Sequence, residues 1–182
     1  MQKLNKFKLP NNFRGHSILI VQLWWFTDFF FFKLSPQIMY GWRRFLLRLF
    51  GAKIGKNVII RPNVTITYPW KISIGDDSWI GDNAELYSLG EIEIGSNVVI
   101  SQKSYLCAAS HEYDKEDFPI FGKKITIEDE CWLATDVYVA PGVTIGKGTV
   151  VGARSSVFKD LPAGKVCVGN PAKVIKDRIV EK

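Results

Sequence analysis

The stretch that decides the fold is Lys71–Leu106, KISIGDDSWIGDNAELYSLGEIEIGSNVVISQKSYL. Branched aliphatic residues fall in it on a count of six: Ile74, Ile80 and Leu86, then, after a longer step, Ile94, Ile100 and Leu106. The same count runs back through Ile66, Ile60 and Ile54, and resumes downstream at Ile127, Leu133, Val139, Ile145, Val151 and Val157. The residue four places after each beat is often small or β-branched, as at Val58, Ser78, Ala84, Ser104, Val137 and Ser155. Neither the helical period of 3.6 nor the strand period of two produces this repeat. It suits a chain that turns a corner about every six residues, with the aliphatic side chain inward and the small residue at the corner. Three sides close a triangular coil, and coils stack at ~4.8 Å. The expectation is an all-β parallel β-helix of about five coils (54–73, 74–93, 94–126, 127–144 and 145–161), about 24 Å tall. An antiparallel sandwich of short strands would need no strict count of six.

Both longer steps, at Ile66–Ile74 and Leu86–Ile94, fall at the same corner of their coils. The third coil carries its extra residues at that corner too, as one excursion, 107–126. That shared place predicts a loop standing on an intact prism. The excursion opens with LCAASHEYD, Leu106–Asp114, and holds one of the chain's 2 histidines, His111.

Charge is unevenly spread over the 182 residues, whose net is +6. Residues 1–61 contain eleven Lys and Arg against the single acid Asp28, a net of +10; residues 62–182 hold thirteen against seventeen, a net of −4. The basic third points to an anionic partner surface. Its basic residues sit among bulky aliphatics and phenylalanines with no nucleic-acid motif, which argues against nucleic acid. The 3 cysteines, Cys107, Cys131 and Cys167, are odd in number and far apart, which disfavours a disulfide framework and fits a reducing, cytoplasmic setting. No cleavable signal peptide is visible.

The segments IGDDSWIGDNAELYSLGEIEIGSNVVISQKSYLCAASHEYD, PGVTIGKGTVVGARSSVFKDLPAGKVCVGNPAKVI and PQIMYGWRRFLLRLFGAKIG resemble the hexapeptide-repeat acyltransferases. More narrowly, they resemble the colanic-acid-biosynthesis type of sugar O-acetyltransferase, over residues from about 20 to 178. The resemblance implies a left-handed β-helix, a homotrimer with active sites between neighbouring prisms, acetyl-CoA as co-substrate and no metal. It implies transfer to a sugar hydroxyl in exopolysaccharide or other glycan biosynthesis.

Such a transfer needs a base for a weak nucleophile and donors for a developing oxyanion. His111 matches the family's base by position, and Glu112 is the first choice for its orienting acid. Asp82, Asn83, Tyr87 and Asp114 are the candidates for the acceptor. For the cofactor the resemblance implies Trp132, backbone groups at Thr135 and Ala153, and Phe158 and Lys159, with Lys173 and Lys176 of GNPAKVIK meeting phosphate. Thr135 and Ala153 are one coil apart, so they should stack. Residues 162–182 are expected to form a tail closing the cofactor site.

Three rivals differ in what they require. N-acylation of an amino-sugar or small amine uses the same fold. A zinc-dependent carbonic anhydrase on a β-helix needs three histidines, against His16 and His111 here. A non-catalytic scaffold predicts that CoA does not bind.

Residues 1–50 stand apart. ILIVQLWWFTDFFFF, Ile18–Phe32, is broken only by Gln22, Thr27 and Asp28. As a helix it would span about 22 Å, short of the ~30 Å core of a bilayer. YGWRRFLLRLF, Tyr40–Phe50, carries basic residues on one face and apolar ones on another, which suits an interfacial helix. Two roles fit: capping the open end of the prism, and peripheral contact with the inner face of the cytoplasmic membrane.

Overall fold

The computed structural model describes residues 1–180. Its body is a three-sided parallel prism. The first face stacks the strands Lys53–Ile54, Ile72–Ile74, Ile92–Ile94, Ile125–Ile127 and Thr144–Ile145 in register. The second runs Ile59–Ile60, Trp79–Ile80, Val99–Ile100, Trp132–Leu133, Val150–Val151 and Lys165–Gly169. The third runs Thr65–Ile66, Glu85–Tyr87, Tyr105–Cys107, Tyr138–Val139 and Ser156–Val157.

All fifteen aliphatic beats point inward and are buried. Ile100, in the middle coil, is fully enclosed. Truncating it to alanine should cost about 2–5 kcal/mol, read as a lowered denaturant midpoint with little change in slope.

The corners have their own chemistry. Asn57, Asp77, Asn97 and Glu130 at one corner, and Asn83, Lys103, Asp136 and Arg154 at the next, all have φ between 54° and 62°. Buried hydroxyls then tie coil to coil: Ser78 Oγ donates to Gly95 O at 2.8 Å and accepts from Val98 N–H at 3.0 Å. Ser104 does the same between Ala134 O and Val137 N–H.

The faces differ outwardly. The first shows Lys53, Ser73, Glu93, Thr126 and Thr144. The second shows an apolar ladder, Ile59, Trp79, Val99, Trp132 and Val150. The third carries Tyr87, Tyr105, Tyr138 and Phe158, whose ring centroids follow one another at 6.1, 5.8 and 5.7 Å.

The C-terminal end departs from expectation. Leu161 bridges to Ile145, and Lys165–Gly169 pairs with the strand above it, so a sixth coil begins where a tail was expected. The chain then folds back as the antiparallel strand Ala172–Asp177. A corner shortened to four residues after Val157 hides this coil from a count of six; Leu161 to Cys167 restores it.

The helices α1 (Ile18–Thr27) and α2 (Tyr40–Leu49), joined by a π-helical stretch Asp28–Lys33, close the other end. Their packing has a polar reason. Along the sides N–H groups of each coil donate to carbonyls of the next, as Gly55 N–H does to Ile74 O at 2.8 Å, while left-handed corner residues donate back, as Asp77 N–H does to Lys56 O at 2.9 Å. Carbonyls of the first coil therefore face out at the open edge, where unpaired groups are costly. Side chains of the cap meet them. Arg43 donates to Ile60 O (2.7 Å), Arg44 to Val58 O (2.8 Å), Arg48 to Ile54 O (2.8 Å) and Trp24 Nε1 to Ile66 O (2.9 Å). Arg43 is fully buried and also holds Ser35, Pro36 O and Gln37 O.

Asp28 is buried in this cap beside Lys33, at 3.0 Å. Burial raises its carboxyl pKa above the ordinary value of 3.8, against the opposing pull of Lys33. A raised carboxyl favours the protonated fold, so its contribution is present at low pH and lost as pH rises through the raised value. Asp28→Asn should therefore raise the melting temperature at neutral pH, with the advantage vanishing as pH falls to about the ordinary value of 3.8.

Candidate active site

The excursion is a hairpin. Ala109–His111 pairs antiparallel with Ile120–Gly122, His111 opposite Ile120, and Glu112 N–H donates to Pro119 O at 3.0 Å. It stands on the corner between the third and first faces. Gly90 lets it do so. A Cβ there would strike the Ala108 carbonyl oxygen and come within 2.9 Å of Lys123 backbone. Gly90→Ala should thus shift the hairpin's base.

His111 is half-buried and held from two sides. Its Nδ1 lies 3.0 Å from Phe118 O, so this nitrogen donates and Nε2 keeps the lone pair in the neutral ring. The Phe118 ring stacks on the imidazole at 4.2 Å and 8°. Phe118 has φ +47°, a conformation that bulky residues rarely adopt. The same residue thus supplies both the carbonyl and the stack. The Glu112 carboxylate, the partner expected from sequence, pairs on this protomer with Lys115, three residues along the hairpin. Asp114 is exposed at the hairpin tip.

The first residues of the chain reach this hairpin. Lys3 N–H donates to Glu116 O at 2.7 Å, Lys3 and Lys6 both pair with the Glu116 carboxylate, and the Phe7 ring lies 6.1 Å from His111. Neither this strap nor Phe118 was expected from sequence. The one available signal was charge: a basic N-terminus and an acidic excursion.

The remaining candidates lie elsewhere on the protomer. Asp82, Asn83, Thr135 and Ala153 occupy the corner between the second and third faces. Thr135 and Ala153 do stack, with Arg154 N–H donating to Thr135 O at 2.9 Å. Asp82 accepts from Arg61 Nε at 2.8 Å, and Asn83 holds a left-handed turn position that Lys103, Asp136 and Arg154 repeat in the next three coils. Both therefore carry structural duties. They border a groove of about 520 Å³ with Tyr40, Trp79 and Gln102. Trp132 is half-exposed on the second face, its Nε1 3.0 Å from Ser101 Oγ. Tyr87 and Phe158 sit on the third face, and Lys159 is exposed beyond it. Burial raises the Tyr87 hydroxyl pKa, and pushes Tyr138 up to about 12, so both remain neutral donors. Lys173 and Lys176 are exposed on the returning strand.

The structure thus gathers two groups and keeps them apart. His111 stands at one corner, while the Thr135–Ala153 column stands at another, with the width of the third face between them.

Known proteins share this fold and its repeat. A family described as bacterial transferase hexapeptide (six repeats) matches residues 124–159, and one described as hexapeptide repeat of succinyl-transferase matches 71–102. Over 179 residues, 98% of each chain, the sequence is 62% identical to WcaF of Escherichia coli (strain K12), named for colanic acid biosynthesis acetyltransferase. It is 32% identical to the galactoside O-acetyltransferase of the same organism, over 74% of this chain and 68% of that one. A hexapeptide-repeat acetyltransferase of Vibrio cholerae, solved with acetyl coenzyme A, superposes with a TM-score of 0.82 at 26% identity, covering 91% and 92% of the two chains. With almost its whole length shared at such identity, the chain belongs to the hexapeptide-repeat acetyltransferases, acyltransferases of the left-handed β-helix fold.

Proposed function

We propose that the protein moves an acetyl group from acetyl-CoA to a sugar hydroxyl, on a unit of an exported glycan, in a cleft shared by two protomers of a homotrimer. The observation that carries this reading is the separation of the two groups on one protomer. A donor lying along the Thr135–Ala153 column and Trp132 is a face away from His111 of the same chain. A neighbouring prism could bring the two together. The apolar second face and aromatic third face, both flanking that column, are the surfaces such a neighbour would cover, whereas the first face is polar. The relatives named for colanic acid and galactoside acetylation support a sugar acceptor.

In this cleft, His111 Nε2 takes the proton of the acceptor hydroxyl as its oxygen attacks the thioester carbonyl. The tetrahedral intermediate collapses, the C–S bond breaks, and the departing thiolate receives the proton back from Nε2. The products are an acetyl ester and free CoA. The corner column binds the extended arm, and Lys159, Lys173 and Lys176 supply point charges for phosphate.

Two measurements test this. Incubation with acetyl-CoA and matched hydroxyl- and amino-sugars should yield an alkali-labile ester; acetylation only at nitrogen would overturn the hydroxyl assignment. Ala153→Trp should fill the column and weaken CoA binding by at least about tenfold, with the melting temperature unchanged. Unaltered affinity would remove the column from the cofactor site.

A further inference from the structure

Helix α1 is apolar all round, yet only Val21, Trp24 and Thr27 are buried. A helix of that composition calls for cover on every side. Nothing among the described residues covers its outer side or the stretch that follows. Leu19 is 76% exposed, Phe29 59% and Leu34 67%, and Trp25, Phe26, Phe30 and Phe31 are exposed as well. The rings form one surface, with Phe26–Phe30 and Phe29–Phe30 centroids 4.7 and 4.8 Å apart. Phe45 and Leu49 of α2 are exposed on the same end cap. A patch of this extent marks a docking surface.

Charge identifies the occupant. Residues 18–61, the cap and the start of the first coil, hold seven Lys and Arg against Asp28, a net of +6, with Arg61 paired to Asp82 on the next coil. Arg44 and Arg48 bond to first-coil carbonyls, which neutralise no charge. Among the described residues, no carboxylate pairs with Arg44, Arg48, Lys53 or Lys56 side chains. A second copy docking by two-fold symmetry would set this cationic end against itself. An anionic lipid surface complements it, with aromatic side chains entering the headgroup boundary and basic ones meeting phosphate. No helix among the described residues is long and apolar enough to cross a membrane.

We propose that this end cap docks the enzyme onto an anionic phospholipid surface, peripherally, with α1 and Phe29–Phe31 in the interface. The inference is independent of the acyl-transfer reading. Flotation of the intact protein tests it, with vesicles of phosphatidylcholine alone and with about a third phosphatidylglycerol. Most of the protein should float with the anionic vesicles, and less with the neutral ones or at high salt. The variant Leu19→Ser/Phe29→Ser/Phe30→Ser should stay in the dense fraction while keeping its melting temperature and its transfer to a soluble acceptor. Wild type that stays down with both vesicles overturns the proposal. So does equal flotation of wild type and variant. A wild-type assembly whose mass halves in the variant would overturn it in favour of a second copy.

Discussion

His111→Ala should lower the turnover number for acetyl transfer by about 10²–10⁴-fold, the range that a positioned general base supplies. The substitution removes only a half-buried ring on a hairpin outside the prism, so the melting temperature should hold to within a few degrees. Acetyl-CoA affinity should hold as well, since the column binds the extended arm while His111 acts on the acceptor hydroxyl. That combination separates loss of a base from loss of fold or cofactor. Turnover measured under saturating substrates, with affinity by calorimetry, checks it. His111→Asn asks a narrower question. It keeps a donor toward Phe118 O without a basic nitrogen, and should be as inactive as the alanine variant.

The second large effect concerns Phe118. Its carbonyl meets Nδ1 only because its backbone is left-handed at φ +47°. Phe118→Val places a β-branched residue where such residues are least tolerated. The backbone should relax, the carbonyl should turn from His111, and turnover should fall by roughly 10–100-fold, equivalent to about 1.4–2.8 kcal/mol. Phe118→Gly accepts the same φ and loses only the stacked ring. It should retain more activity than the valine variant despite being the more drastic truncation. The KM for acetyl-CoA should move in neither. If glycine proves the worse substitution, the ring rather than the carbonyl orients the base.

These outcomes mark what sequence can and cannot convey here. The prism was legible because a single requirement, one inward aliphatic residue per side, repeats at every beat from Ile54 to Val157, and all of those residues are buried. The stacking of Thr135 on Ala153 followed from the same count. The sixth coil was missed because the corner before Leu161 is short. Glu112 was a reasonable partner for His111 because acids near a histidine are visible in a sequence. A backbone carbonyl is not: every residue has one, and only the fold aims it. Asp82 and Asn83 carry local roles that residue type alone does not announce: Asp82 pairs with Arg61 on the coil before it, and Asn83 supplies a turn that Lys103, Asp136 and Arg154 supply elsewhere. The strap formed by Lys3, Lys6 and Phe7 spans more than a hundred residues of chain to reach the hairpin, and local pattern carries no trace of such a contact.

The cleft between protomers is the central claim, and subunit mixing tests it most directly. Co-expressed His111→Ala and Ala153→Trp chains, each strongly impaired alone at limiting acetyl-CoA, should form mixed trimers. In each, about one cleft in three joins an intact His111 to an intact column on the neighbouring chain. Acceptor-dependent thiol release from acetyl-CoA should then recover to a substantial fraction of the wild-type rate. No recovery, in preparations shown by mass to contain mixed trimers, would mean that base and column serve the same protomer, and would contradict the account.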